Sequence, residues 1–278
     1  MKNILVVITT AFVPTGGLTT VMMNYYRMMN KEEVKIDFAS TNNPPQVLLD
    51  EIHASGSEYY QLSDRKNVLA YFFALKKLCR GYDAIHVHAN SAMAVMELQA
   101  AIWAGIKIRI IHNHSSRSQH NLLNQLFLSL YRRSFTQAVA CSDEAGEWLY
   151  GKNGFITLRN AINAKRFKFD VVKRLIMRHN FGFGDDEYVI GHIGKFMEAK
   201  NHSFLIEVFA KYHALQPKSK LLLIGDGELR HLVEAAIDKN KVNDCVILAG
   251  LRSDISDVLQ AIDIFLFPSI YEGMPLSV

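Results

Sequence analysis

Lys195 and Lys200 flank the segment that follows an apolar run, Tyr188–Ile193. Two ammonium groups on one loop at a strand's carboxyl end can neutralise charge that grows on a departing diphosphate. The alternative for them is solvation. A second apolar run, Ile262–Phe267, leads into Ser269-Ile270-Tyr271-Glu272-Gly273-Met274-Pro275-Leu276. One acid, Glu272, stands there, and the glycine after it lets backbone N–H groups approach a ligand closely. A helix starting near Leu276 would aim its amino terminus at a phosphate. Ala11-Phe12-Val13-Pro14-Thr15-Gly16-Gly17 joins the first apolar run, Ile4–Ile8, to a helical stripe. A strand, a glycine loop and a helix in that order suit a phosphate or diphosphate, or are simply a tight turn. The loop is not GxGxxG, so a dinucleotide fingerprint is absent.

Four histidines stand in two i, i+2 pairs, His86/His88 and His112/His114. Each pair projects from one face of its strand. If the strands are neighbours, a four-histidine metal cluster is geometrically open. No Asp or Glu beside them would orient the rings. The preferred reading makes His114, at a strand end, a catalytic or substrate-binding residue and the others hydrogen-bonded core histidines. No Asp-x-Asp, GxSxG or Walker loop occurs, which removes metal-bound sugar-nucleotide, esterase and P-loop readings of the usual kind.

The elements that must position these residues alternate along all 278 residues. Strands are expected at Ile4–Ile8, Lys35–Ser40, Ala84–Val87, Ile106–Ile111, Ala138–Cys141 and Ile156–Leu158. Helices are expected at Leu18–Met29, Val68–Leu78, Ala92–Ala104 and Leu122–Tyr131. On the last, Leu122, Leu123, Leu126, Phe127 and Leu130 share a side, which packs on a sheet or, alternatively, lies on a membrane surface. A basic stretch from Lys165 through Arg174 and Arg178 reads as a solvated linker and helix. Strands then recur at Tyr188–Ile193, Lys220–Ile224, Val246–Leu248 and Ile264–Phe267. The pattern is α/β: two doubly wound parallel sheets, in domains 1–165 and 166–278. The second domain reads as incomplete, with the chain stopping inside a functional loop.

Composition adds bounds. Hydrophobic residues at 49% and charged residues at 21% describe a globular chain. A net charge of +4 spread over this length is no nucleic-acid signature. Cys79, Cys141 and Cys245 form no CxxC pair, which fits a reducing cytoplasm and argues against a structural zinc. No apolar run nears the roughly 20 residues a bilayer-spanning helix needs. The expected location is the cytoplasm, with contact at the inner face of the cell membrane left open.

Taken in order, Gly16-Gly17, His114, Asn160-Ala161-Ile162-Asn163, Gly194-Lys195-Phe196 with Lys200-Asn201-His202, Gly225-Asp226-Gly227, and Pro268-Ser269 through Glu272-Gly273-Met274-Pro275 form a set. The chain resembles a retaining family-4 glycosyltransferase of GT-B fold, of the bacterial type that builds capsule and exopolysaccharide. That resemblance implies two Rossmann-like domains facing across a cleft. It implies a UDP- or GDP-linked sugar donor held mainly by the second domain, and a saccharide or lipid-linked acceptor. Lys195 and Lys200 would grip the diphosphate, with Gly16-Gly17 closing on it. The loop at Leu251-Arg252 would hold the base. Glu272, followed by Gly273, Met274, Pro275 and Leu276, would bind the donor sugar, and His114 would sit beside it. Transfer would proceed with retention, with no metal and no cofactor beyond the donor itself.

Two departures stand out. Most members carry Arg where this chain has Lys195, which keeps the charge but loses the bidentate fork. The family's second Glu, eight residues after the first, would fall two residues beyond Val278, so the chain reads as truncated. Competing readings are a non-catalytic remnant that binds nucleotide sugar weakly and a GT-B-like UDP-sugar 2-epimerase.

Overall fold

The computed structural model describes residues 1–116 and 121–277. The chain divides into two compact units, the first of Met1–Ile162 with Gly273–Leu276 and the second of Asn163–Glu272 with Ser277.

In the first unit every strand pairing is parallel. The strands are β1 (Lys2–Ile8), β2 (Val34–Ser40), β3 (Tyr59–Gln61), β4 (Ala84–Ala89), β5 (Ile108–Asn113), β6 (Gln137–Ala140) and β7 (Phe155–Thr157), ordered β3-β2-β1-β4-β5-β6-β7. The order reverses at β1/β4, the switch point where doubly wound sheets open a crevice at their strand carboxyl ends. Helices α1 (Gly17–Met28), α2 (Gln46–Ala54), α3 (Val68–Cys79), α4 (Val95–Ala104), α5 (Asn121–Ser134) and α6 (Asp143–Tyr150) connect them.

Strand alternation splits this core in two. Leu5 and Val7 face a cluster with Tyr71, Leu75, Ile85, Val87, Leu98 and Ile111. Val6 and Ile8 face the other way, onto Met22, Met23 and Tyr26 of α1 and Leu48 and Ile52 of α2. α2 and β3 were absent from the sequence reading. Their segment is short, and Tyr59–Gln61 holds too few residues for periodicity to speak.

The second unit repeats the scheme with β8 (Tyr188–Ile193), β9 (Ser219–Ile224), β10 (Val246–Gly250) and β11 (Ile264–Phe265), all parallel, in the order β10-β9-β8-β11. Its helices are α7 (Val171–Phe181), α8 (His202–Leu215), α9 (Arg230–Asn240) and α10 (Ile255–Val258). Asp170 caps α7, its side chain accepting from the Val172 and Lys173 amides. Phe196, Leu205, Ile206, Phe209, Leu221 and Leu223 centre one face of this sheet, and Val189, Leu222, Ile224 and Val258 the other.

Two sequence expectations are corrected here. Most of the apolar stripe of α5 does not pack on the first core: Leu122 is 84% and Leu126 71% exposed, and Leu123 and Leu130 are exposed too, while Phe127 packs against that core. The basic stretch is not wholly solvated. Arg178 is 4% exposed. Its Nη2 donates to the carbonyls of Gly184 and Glu187 at 2.6 Å each, and its Nη1 to Ala261 O and Asp263 Oδ2 at 3.3 Å each. Arg174 Nη2 reaches Asp263 Oδ1 at 2.5 Å. Asp263 Oδ2 also accepts from the Val189 amide at 2.7 Å. One carboxylate, two guanidinium groups and four backbone groups thus tie α7 to the starts of β8 and β11. Helical periodicity sees the charges of α7 but not the acid some 85 residues away.

Candidate functional site

In the second unit the site is built at the carboxyl ends of β8, β9 and β11. Gly225 makes the ends of β8 and β9 converge. Its φ is 142°, and a Cβ there would lie 2.0 Å from the Gly194 carbonyl oxygen. The Gly194 amide donates to Ile224 O at 2.9 Å and the Phe196 amide to Asp226 O at 3.0 Å. A short 3₁₀ turn, Glu198–Lys200, follows. Asn201 leaves it in the left-handed region at φ 54°, a conformation that Asn tolerates better than most residues. Asn201 Nδ2 donates to Pro268 O at 3.4 Å, and the Ile270 amide to Ala199 O at 2.8 Å. The loop after β11 is therefore laced to the turn that carries Lys200.

The result is a contact between two residues 72 positions apart: Lys200 Nζ lies 2.7 Å from Glu272 Oε1, both partly shielded from solvent. Lys200 Nζ also sits 5.3 Å from the centroid of the Phe267 ring. Lys195 is placed differently. Its Nζ is 2.9 Å from Glu228 Oε1, and both side chains are exposed. Such a pair contributes only ~0–1 kcal/mol, so an incoming anion can displace the carboxylate. Leu251 and Arg252 follow β10 on the same sheet edge. Leu251 is exposed, and Arg252 Nε lies 2.8 Å from Asp254 Oδ1.

Beneath Lys200 two histidines are buried. His192 Nδ1 is 2.8 Å from Leu266 O, and its ring meets His202 at a centroid distance of 5.0 Å. Burial pushes His192 down to about 4 and His202 to about 3, with Lys200 adding to the shift in both. Neither carries charge at neutral pH.

In the first unit Gly16 precedes α1 and Gly17 opens it, with the Gly16 amide donating to Val13 O at 2.9 Å. The loop is held from outside: the Phe12 amide donates to Asn42 Oδ1 at 2.7 Å and the Val13 amide to Thr19 Oγ1 at 3.2 Å. Space beside Gly17 is open. His114 ends β5. Its Nε2 contacts His88 Nδ1 at 2.9 Å, and its Nδ1 has no partner. Burial, with His86 adding, lowers its pKa to about 3. A neutral imidazole of this kind can give or accept a hydrogen bond but holds no charge.

Gly273–Leu276 belongs to this first unit. A Cβ at Gly273 would stand 2.4 Å from His114 O and 3.0 Å from Cys141 Sγ, so only glycine fits. Asn160 Nδ2 donates to Met274 O at 2.6 Å, and Met274 packs on the first core. Leu276 and Ser277 form a turn. The structure thus joins Lys200 with Glu272 in one unit and His114 with Gly273 in the other. It pairs Lys195 with Glu228, which the sequence reading did not single out; only its place two residues after Asp226 near a strand end hinted at it. Cys141 was likewise missed, because nothing local announces a contact across more than 130 residues.

Two doubly wound parallel units with their charged residues at strand carboxyl ends define a GT-B type of protein. Solved structures share that fold. Anabaena HepE, in complex with UDP and glucose, superposes with a TM-score of 0.80 at 17% identity, over 97% of this chain and 74% of that one. The model of Glycosyltransferase Family 4 matches residues 15–172, and that of Glycosyl transferases group 1 matches 173–278. The chain belongs to glycosyltransferase family 4. The protein named glycosyltransferase EpsF of Bacillus subtilis (strain 168) is 28% identical over 94% of this chain and 72% of its own length. An Escherichia coli UDP-Gal:alpha-D-GlcNAc-diphosphoundecaprenol alpha-1,3-galactosyltransferase is 23% identical over 95% and 73%.

Proposed function

We propose that this chain carries the machinery to move a sugar from a nucleotide-diphospho-sugar to a saccharide or lipid-linked acceptor, with retention, in cell-surface polysaccharide synthesis. The observation that carries the reading is the Lys200–Glu272 contact at the ends of neighbouring strands β8 and β11. A cation and a carboxylate side by side match the two halves of such a donor. Lys200, with Lys195 on the same loop, meets charge developing on the β-phosphate. Glu272 accepts hydrogen bonds from sugar hydroxyls. Charge stabilisation by fixed ammonium groups supplies what a metal ion supplies elsewhere, so the transfer step runs without one. Leu251 and Arg252, at the end of β10, are the residues for the base. His114 and the Gly16-Gly17 loop are assigned to sugar and phosphate contacts from the first unit.

UDP is favoured over GDP because HepE is seen with UDP and the Escherichia coli relative uses UDP-Gal. The same relative acts on a diphosphoundecaprenol-linked sugar, which favours a lipid-linked acceptor. An acceptor of that kind brings the enzyme to a membrane face. No helix among the described residues is long and apolar enough to cross a membrane. Helix α5 instead exposes Leu122, Leu126 and Leu130 and ends in Arg132 and Arg133, the make-up of a helix that lies on an anionic surface. The deciding experiment is calorimetric titration with UDP-, GDP- and ADP-sugars, followed by NMR of any product's anomeric linkage. Tightest binding of a UDP-sugar and a retained configuration are expected. Preference for an ADP-sugar, or an inverted product, overturns the reading.

A further inference from the structure

The imidazoles on the α1 side of the first sheet are not explained by sugar transfer. Parallel pairing sets His88 opposite His112, and His86 opposite Ile110, so His86, His88 and His112 share one face of adjacent strands β4 and β5. Ring centroids are 4.3 Å apart for His86–His88, 5.0 Å for His88–His112 and 5.7 Å for His86–His112. One nitrogen from each of the three lies within 4.8 Å of one from each of the others. His86 Nε2 and both ring nitrogens of His112 are buried with no hydrogen-bond partner. Buried polar atoms are normally satisfied, and several orphaned in one place ask for something to satisfy them. Tyr25 of α1 stacks over His112 at 6.5 Å and leaves those nitrogens unpaired.

We propose that His86, His88 and His112 bind one divalent transition-metal ion of the Zn²⁺ class, buried between β4, β5 and α1. An all-imidazole donor set suits borderline ions such as Zn²⁺ and Co²⁺ and disfavours Mg²⁺ and Ca²⁺, which require oxygen ligands. Tetrahedral Zn–N bonds of about 2.1 Å put ligand nitrogens about 3.4 Å apart, within reach by small rotations of rings already this close. His114 acts one layer out. Its Nε2 engages His88 Nδ1, which leaves His88 its Nε2 as the ligand atom and fixes that ring, the role outer partners play at metal sites. The ion would brace the strand end that carries His114 without entering the transfer step.

The test uses the full chain, stripped with a chelator and dialysed. Zn²⁺ is titrated by calorimetry, Co²⁺ by visible absorption, and thermal unfolding is recorded with and without Zn²⁺. The expected result is one ion per chain, intense tetrahedral Co²⁺ bands and a raised Tm. His86→Gln and His112→Gln should each weaken binding at least ~10-fold and lose the Tm rise, with circular dichroism unchanged. His231→Gln, at an exposed histidine, should leave binding intact. No stoichiometric binding overturns the proposal, and so does binding indifferent to both cluster variants or equally sensitive to His231→Gln. Should the cluster variants fail to fold, the wild-type Co²⁺ spectrum decides, weak octahedral bands rejecting the site. None of these readouts involves sugar transfer, so they stand or fall apart from it.

Discussion

Replacing Arg178 by Met keeps an unbranched apolar stem and removes the guanidinium. Four contacts go: two short ones to Gly184 O and Glu187 O, and two longer ones to Ala261 O and Asp263 Oδ2. Asp263 keeps Arg174 and the Val189 amide, so its charge is not stranded. The three carbonyls lose a donor that is 4% exposed and reach water only if the structure opens. Leaving a buried acceptor without its donor costs ~1–3 kcal/mol, against a total stability of ~5–15 kcal/mol. Both tryptophans, Trp103 and Trp148, lie in the first unit, so tryptophan fluorescence would miss the loss. Hydrogen exchange by mass spectrometry over α7 and β8 in increasing guanidinium reports it directly. Arg178→Lys should recover less than half, because one ammonium cannot reach two carbonyls and a carboxylate together. A loss under ~1 kcal/mol, or full recovery by lysine, would refute the clamp.

Lys200→Ala and Glu272→Ala should each lower turnover by ~10²–10³, the usual cost of one charge-stabilising contact, and added Mn²⁺ should restore neither; unchanged turnover in Lys200→Ala removes the mechanism. Gly273→Ala forces a Cβ to 2.4 Å from the His114 carbonyl, so donor turnover should fall at least ~10-fold while circular dichroism stays near wild type; full activity would show that the segment shifts freely. His192 is held near 4 by burial, against ~6.5 when unfolded. The unfolded chain therefore takes up the proton first: stability is full above about pH 6.5 and drains as pH falls toward 4. That is ~2 kcal/mol between pH 6.5 and 5, measurable by denaturant titration at pH 7 and 5, and a pH slope identical in His192→Phe would contradict it. Leu122→Asp with Leu126→Asp should weaken sedimentation with phosphatidylglycerol vesicles and leave binding of a soluble UDP-sugar unchanged; equal vesicle binding rejects α5 as the contact.

The sequence by itself determined the class of fold. Strand-like runs of three to six residues, most followed by a turn and a helical stripe, leave a parallel sheet as the arrangement that buries both faces, and both sheets are parallel throughout. It also placed Lys195, Lys200, Glu272 and Gly16-Gly17 at strand ends, because strand, loop and helix follow one another locally. Partners were another matter. That Lys200 meets Glu272 while Lys195 turns to Glu228, and that Arg178 is a buried clamp on Asp263, depends on which strands lie side by side. So does the crowding of three imidazoles on one face of β4 and β5. Strand order and register come from packing between segments far apart in the chain, and no local periodicity encodes them. The apolar side of α5 shows the same limit: the stripe is plain in the sequence, but only the tertiary structure reveals that Phe127 packs on the core while Leu122, Leu126 and Leu130 face outward.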